Sequence, residues 1–512
     1  MNSFFCEEIR RDLAFFSADS EKYREFLGRI GEICGGKIAA NAAAVDKKGV
    51  ALYENSVVLP PEMLENIENL RNSGYIGAVL PEFYGGKSLP KLFDTAAIEM
   101  ISRADASLMT LVSLSEAGNL IYLYGTEEQK NRILPGIACG RLSCAVALTE
   151  SHAGSDLQAV ETVAREADGE WFLTGTKHFV TNGGADIMLV LARSEENVSG
   201  GRGLSLFIRE KNADTNTKIL KTLDKIGICG SPTCTVRFEK AKCELLGRRR
   251  FGLVKYVSEL LLSARLSVAA QALGIAAAAL HEAEEYASNR MQFGKKIAEI
   301  PQVAAMLERM RGKIRAVRLL VYFTASEFDA MRRQEDAGKQ REIRSEVEFL
   351  VPLVKFFAAE TANKVAYDAL QIRGGNGYLR GNTAERLVRD ARVTPIYEGT
   401  SQIQISAVVS KIANGALLDF VKKFLAEEKF PGDFAGKIRS YAGKLTETAS
   451  SCSGSEKLES CGEYFAGAAA VIAAAVLEAV FEPAGSEDGT LAFRVPAEAE
   501  FFLSLIEAAV HS

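Results

Sequence analysis

The sequence predicts a mostly helical α+β protein in which helices flank one small antiparallel β domain. Three observations carry this. Residues up to about 140, and again from Phe251 to about Asn414, repeat apolar side chains at three- and four-residue spacing. Between them lie short runs of β-branched and aromatic residues, separated by Gly, Asn and Asp. The chain has 512 residues, more than one core encloses, so two to four domains are expected. We place the divisions at 1–143 (helical), 144–247 (β), 248–414 (helical bundle) and 415–512 (a further helical region).

The elements follow in order. Phe4 to Ile33 is helical in pattern. Leu59-Pro60-Pro61-Glu62 reads as a helix start, because proline is tolerated in the first turn. Thr126-Glu127-Glu128-Gln129 reads as another, with acids where the helix dipole favours them. The texture changes near Cys144. Val160–Ala167, Trp171–Thr174, Ile187–Arg193, Leu204–Arg209 and Thr235–Phe238 read as strands. Ser258 to Ser288 is rich in Ala and Leu, and Met306–Arg332 and Ser345–Leu370 are amphipathic, so an antiparallel bundle is expected. From about Gly415 the pattern stays helical and acidic, with a loop at Ser450–Ser455. Ala466 to Leu477 is apolar for only about a dozen residues, which suits a buried helix better than a transmembrane segment.

Composition narrows the function. Hydrophobic content is 47%, charged content 25% and net charge −5, so nucleic acid and anionic membrane surfaces are not expected partners. Arg248-Arg249-Arg250 is the one tight basic run; it reads as a solvated loop or as a phosphate contact. Nine scattered cysteines without a CxxC pair indicate reduced thiols and a cytoplasmic setting. Four histidines without ligand spacing argue against a metal site. Met1 to Arg11 carries Glu7 and Glu8, unlike a signal or transit peptide. Gly375 to Gly381 approaches a dinucleotide fingerprint, but Arg380 stands where glycine is needed and a helix precedes it.

Ile396-Tyr397-Glu398-Gly399-Thr400-Ser401-Gln402-Ile403-Gln404 is the most informative stretch. It has two readings. One is a helix start, with Thr400 or Ser401 as N-cap and Glu398 exposed. The other is a catalytic base: a carboxylate pressed against apolar neighbours gains affinity for protons and can take one from carbon near neutral pH.

The nonapeptide resembles the catalytic-base motif of the acyl-CoA dehydrogenase family. The resemblance continues in Gln371–Tyr378, Arg290–Lys295, Leu148–Asp156 and Gly175–Gly184, five blocks in the family's order over roughly four fifths of the chain. It implies a C-terminal four-helix bundle, and FAD held between the β domain and that bundle. Thr149, Ser155, Phe179 and Thr181 match positions around the flavin ring or substrate. Phe179 stands where tryptophan is common. Arg290, Gln292 and Phe293 match contacts to the FAD pyrophosphate and adenosine, and Gln371, Gly374 and Gly375 match contacts from an adjoining protomer. Thr400 and Gln402 complete the implied cofactor set. Ser155, Arg265, Tyr397 and Gly399 are the implied substrate contacts.

The implied reaction is α,β-dehydrogenation of an acyl-CoA to the 2-enoyl-CoA, in fatty acid β-oxidation. Glu398 takes the α proton and hydride passes to flavin N5. The base's backbone N–H helps polarise the thioester carbonyl. Some family members carry their glutamate on an early bundle helix; here that position is Ala264, beside Arg265, so Glu398 has no competitor. An electron-transfer flavoprotein is the implied acceptor and a homodimer or homotetramer the implied assembly. Leu261–Arg265 lacks an acid that medium-chain enzymes place near CoA, and Gly230-Ser231-Pro232-Thr233-Cys234 resembles the large subgroup that includes methylthiopropionyl-CoA dehydrogenases, some of which carry an extra helical domain. Three other readings stand beside this one: an acyl-CoA oxidase, a non-catalytic flavin-binding scaffold, and a DNA-associated flavoprotein, the last disfavoured by the acidic C-terminal region.

Overall fold

A computed structural model describes residues 3–425, 433–452, 454, 456–481 and 504–506. The helical expectation for 426–432, 482–503 and 507–512, and Ser453 and Ser455 of the expected loop, lie outside the described residues. The chain forms two compact units: residues 1–5 with 25–264, and residues 6–24 with 265–512.

Ahead of the sheet come α1 (Glu7–Phe16), α2 (Ser20–Ile33), α3 (Ala39–Lys48), the hairpin β1 (Ala51–Tyr53) and β2 (Ser56–Val58), then α4 (Pro61–Asn72), α5 (Lys91–Ala104), α6 (Ala106–Val112), α7 (Ala117–Tyr124) and α8 (Glu127–Ala138). α4 starts at the proline pair, and α8 starts with a full capping box in which Thr126 and Gln129 bond each other's backbone N–H. The single helical pattern over Phe4–Ile33 breaks at Ser17, and α1 belongs to the second unit. There Phe16 meets Phe481 edge-on at 4.8 Å.

The sheet comprises β3 (Cys144–Ala147), β4 (Val163–Ala167), β5 (Glu170–Thr181), β6 (Ile187–Arg193), β7 (Leu204–Glu210), β8 (Thr217–Thr222) and β9 (Thr233–Leu246). Its pairings run β6–β7–β9–β5–β4 and close on β6 through the pair Val163↔Arg193. The antiparallel expectation needs one correction. β3 pairs with β6 in parallel, as does that closing contact, while β7 lies antiparallel on the other edge of β6. The expected strands at Trp171 and Thr235 are also longer than their apolar runs, and the expected strand at Val160 starts at Val163. β6 is buried on both faces, so it reads as a continuous apolar run rather than an alternating one. Ile187, Leu189 and Leu191 join a core with Leu120, Ile133 and Ile137 of the helices. Met188, Val190 and Ala192 point the other way, to Phe207, Val236 and Phe238.

The second unit holds most of α9 (Ser258–Asn289), the hairpin β10 (Met291–Gln292) and β11 (Lys295–Lys296), α10 (Pro301–Arg333), α11 (Ala337–Arg373), α12 (Thr383–Ala391), α13 (Ser401–Ala413), α14 (Ala416–Phe424), α15 (Phe434–Ser451) and α16 (Glu456–Phe481). α11 packs on α10, α12 and α13, and α14 to α16 pack onto the bundle. Residues 252–289 and 458–481 are long and apolar enough to cross a membrane, but 72% of each apolar window is buried, as in core helices. Ser450 and Ser451, expected in a loop, finish α15 instead.

Candidate active site

Glu398 and Gly399 both have positive φ, 55° and 90°. That conformation suits Gly399 and strains a glutamate by about 1–2 kcal/mol. Three donors hold it. Arg265 Nε on α9 donates to the Glu398 carbonyl at 3.2 Å, and Gln404 Nε2 on α13 donates to it at 3.3 Å and to the Gly399 carbonyl at 3.0 Å. Lys355 Nζ on α11 donates to the Gly399 carbonyl at 2.8 Å. The φ of 90° favours glycine at 399, and a Cβ there would lie 2.6 Å from Gln404 Nε2, displacing that amide from the two carbonyls it holds. Thr400 caps α13, and the Ser401 hydroxyl donates to Glu360 at 2.6 Å. The stretch is thus a helix start and a half-buried carboxylate at once.

Burial pushes the Glu398 carboxyl above the usual carboxylate range, while Arg265 and Lys355 pull it down. Among the described residues none donates a hydrogen bond to its carboxyl oxygens; the two cations donate to backbone carbonyls instead. Burial lowers Arg265, with Glu398 opposing. Burial also brings Lys355 down to about 8, against the pull of Glu398. The Tyr397 hydroxyl donates to Gln271 of α9, and burial, then the Glu398 charge, raises its phenol. A desolvated carboxylate on a fixed backbone, without donors of its own, is suited to taking a proton from a weakly acidic carbon.

A second group gathers at one end of the bundle. Arg373 donates to Glu282 at 2.7 Å and Asn376 Nδ2 to the Tyr286 hydroxyl at 3.1 Å, which ties the end of α11 to the end of α9. Gln371, Gly374 and Gly375 are exposed there, and a Cβ on either glycine would meet nothing within 4 Å. Arg290 precedes the hairpin that carries Gln292 and Phe293. Phe293, with φ of 52°, is 91% exposed. Lys355 and Gln371 share α11 but sit roughly 24 Å apart along its axis, so this group is separate from Glu398. Gln402 is exposed on the first turn of α13.

A third group lies in the first unit. Glu150, buried, accepts from Lys177 Nζ at 2.8 Å, from Thr162 N at 2.9 Å and from Glu161 N at 2.9 Å. His178 N donates to the Thr149 carbonyl at 2.8 Å. These bonds bind the loop with Thr149 and Ser155 to β5. The register of β5 against β9 slips between Lys177 and Val180, and Phe179, with φ of 58°, stands out of this bulge 61% exposed. Thr181 follows it half-buried, and Ser155 is exposed.

Comparison with known proteins decides the family. Residues 20–141 match the N-terminal domain of acyl-CoA dehydrogenases, 145–241 the middle domain and 254–413 the C-terminal domain. An acyl-CoA dehydrogenase of Bacillus subtilis is 39% identical over 68% of this chain and 89% of its own. The chain belongs to the acyl-CoA dehydrogenase family. Butyryl-CoA dehydrogenase of Megasphaera elsdenii is 33% identical, covers 77% of this chain and 97% of its own, and superposes with a TM-score of 0.66. Caenorhabditis elegans ACDH-11, solved with C11-CoA, is 21% identical, but its fold covers 96% of this chain and 90% of its own at a TM-score of 0.83. That likeness is one of fold, and at 96% it takes in helices C-terminal to the family domains.

An acyl-CoA dehydrogenase is an oxidoreductase with FAD as its cofactor. The residues here fit that group. A flavin needs an aromatic face and nearby hydroxyls, which Phe179, Thr149 and Thr181 present. A pyrophosphate needs a cation and open backbone, which Arg290 and the clear space over Gly374 and Gly375 offer.

Lys355, Gln404, Gln271 and Glu360 were not evident from sequence. Lys355 did leave a signal: it interrupts the apolar run Phe349 to Phe357 on a helix, and a charge on a buried face needs a partner.

Proposed function

We propose that this acyl-CoA dehydrogenase oxidises an acyl-CoA thioester to the 2-enoyl-CoA, with Glu398 as the base that takes the α proton. The Glu398 carboxyl carries the reading: burial raises its proton affinity, and no described residue occupies its oxygens. Arg265, Gln404 and Lys355 fix the two peptide planes that flank Gly399, directly after the base, and so hold the turn from which the Glu398 side chain extends. FAD, when bound, supplies the acceptor for the hydride that leaves the β carbon. Thr149, Ser155, Phe179 and Thr181 are the residues for its ring, Arg290, Gln292 and Phe293 those for its pyrophosphate and adenosine, with Thr400 and Gln402 beside the base.

The reading includes an electron-transfer flavoprotein as acceptor. It includes a homodimer or homotetramer, supported by the exposed Phe293 and by Tyr378 and Leu379, 84% and 63% exposed beside Gln371–Gly375. Nine free cysteines support a cytoplasmic setting.

The test is an anaerobic titration of the purified yellow protein with a panel of acyl-CoAs, following loss of the visible flavin absorption. Bleaching by one class is expected and names the substrate. A bound flavin that no acyl-CoA bleaches would overturn the reading.

A further inference from the structure

We propose that Lys355 is the positioning residue of the base: its buried ammonium fixes the Gly399 carbonyl and keeps Glu398 ionised for proton abstraction. The proposal rests on Glu398 being the base.

The geometry comes first. Lys355 is fully buried near the middle of α11 between Val354 and Phe356, and burying a lone ammonium is costly. It donates a hydrogen bond to the Gly399 carbonyl at 2.8 Å. That carbonyl follows a glutamate and a glycine with φ of 55° and 90°, a backbone that persists only where its surroundings fix it. A residue serving the bundle alone would be apolar here, as its neighbours are; an amine on that carbonyl serves the turn. The charge comes second. The groups facing Glu398 are Arg265 from α9 and Lys355 from α11, while Lys355 itself also faces Glu360 on its own helix, whose carboxylate accepts from Ser401 of α13. Glu398 therefore has two cations near it that stabilise its carboxylate without donating to its oxygens. Removing one raises the carboxyl's proton affinity further, and the acid limb of the rate profile moves to higher pH.

Two variants separate the two roles. Lys355→Gln keeps a donor for the Gly399 carbonyl and drops the charge. Lys355→Met drops both at similar volume. The experiment measures the rate of anaerobic flavin bleaching against pH in the full-length holoenzyme, using the acyl-CoA that the titration identifies, with Glu398→Gln as control and FAD content as the check on folding. Both Lys355 variants should shift the acid limb to higher pH and slow the reaction on the order of tenfold below that limb. Lys355→Met should also lower the high-pH plateau, with KM changed less than kcat, and Lys355→Gln should recover that plateau. Should Lys355→Met fail to fold, the limb of Lys355→Gln still decides the charge role. An acid limb at the wild-type pH in the folded variants would overturn the proposal, as would a uniform loss of rate or of FAD with the limb unmoved. A Glu398→Gln control with wild-type turnover would overturn the base reading instead, and the two failures are distinct.

Discussion

Glu150, buried, and Glu398, half-buried, each sit beside a lysine, yet their proton affinities move in opposite directions. Burial alone would raise Glu150, but Lys177 and the N–H groups of Glu161 and Thr162 hold its carboxyl below the usual range. Burial also raises Glu398, and there it prevails over Arg265 and Lys355. The difference is in where the donors point. At Glu150 they meet the carboxyl oxygens; at Glu398 they meet the backbone carbonyls around it. A desolvated carboxylate whose oxygens accept donors is a structural anchor, whereas one whose oxygens accept none is suited to be a base.

Substitutions can break this contrast. The largest effect belongs to Glu398→Gln. We expect a folded, yellow protein whose single-turnover bleaching by acyl-CoA is slowed about 10²–10⁴-fold, the usual worth of a general base. Lys177→Met comes next. It leaves the Glu150 carboxylate buried without its cation, and denaturant titration should show a loss of about 3–5 kcal/mol. Gly399→Ala should cost about 1–3 kcal/mol, because the new Cβ crowds Gln404 at 2.6 Å in a backbone that L side chains avoid.

The smallest effect is in pH dependence, and its sign separates the two sites. Glu150 is depressed when folded, so its stabilisation is present above the unfolded carboxylate pKa and is lost as pH falls through the folded value. Glu398 is raised when folded, so its contribution is present below the unfolded value and is lost as pH rises through the folded one. Replacing Glu150 with Gln should therefore destabilise more at neutral than at acid pH. Replacing Glu398 with Gln should become relatively stabilising toward neutral pH. Each difference should be on the order of 1 kcal/mol per pH unit within its window, read from denaturant midpoints.

Much of the fold was legible because local signals agreed with it. Pro60-Pro61 and Thr126–Gln129 start the helices they were expected to start, since capping chemistry is local. The parallel pairing of β3 was not legible, because pairing partners are set by tertiary contact and not by the strand's own residues. The hairpins at Glu54-Asn55 and Phe293-Gly294 were missed for a different reason. Their turns need positive φ at both central residues, and Glu54 and Phe293 are not residues that announce it. At the site, Glu398 stood out by its motif and Arg265 by its place on the same resemblance. Lys355 and Gln404 act through the backbone of other residues, a role that leaves no spacing pattern; only the misplaced charge of Lys355 hinted at it.

The most direct test is an infrared titration of the carboxyl groups in the holoenzyme, comparing the wild type with Glu398→Gln and Glu150→Gln. The account expects a protonated-carboxyl component above the ordinary glutamate range that is lost in Glu398→Gln and survives in Glu150→Gln, beside those of Glu478 and Asp94, which both variants keep. A Glu398 that titrates in the ordinary range would contradict it, for the site would then hold a second anchor and not a base.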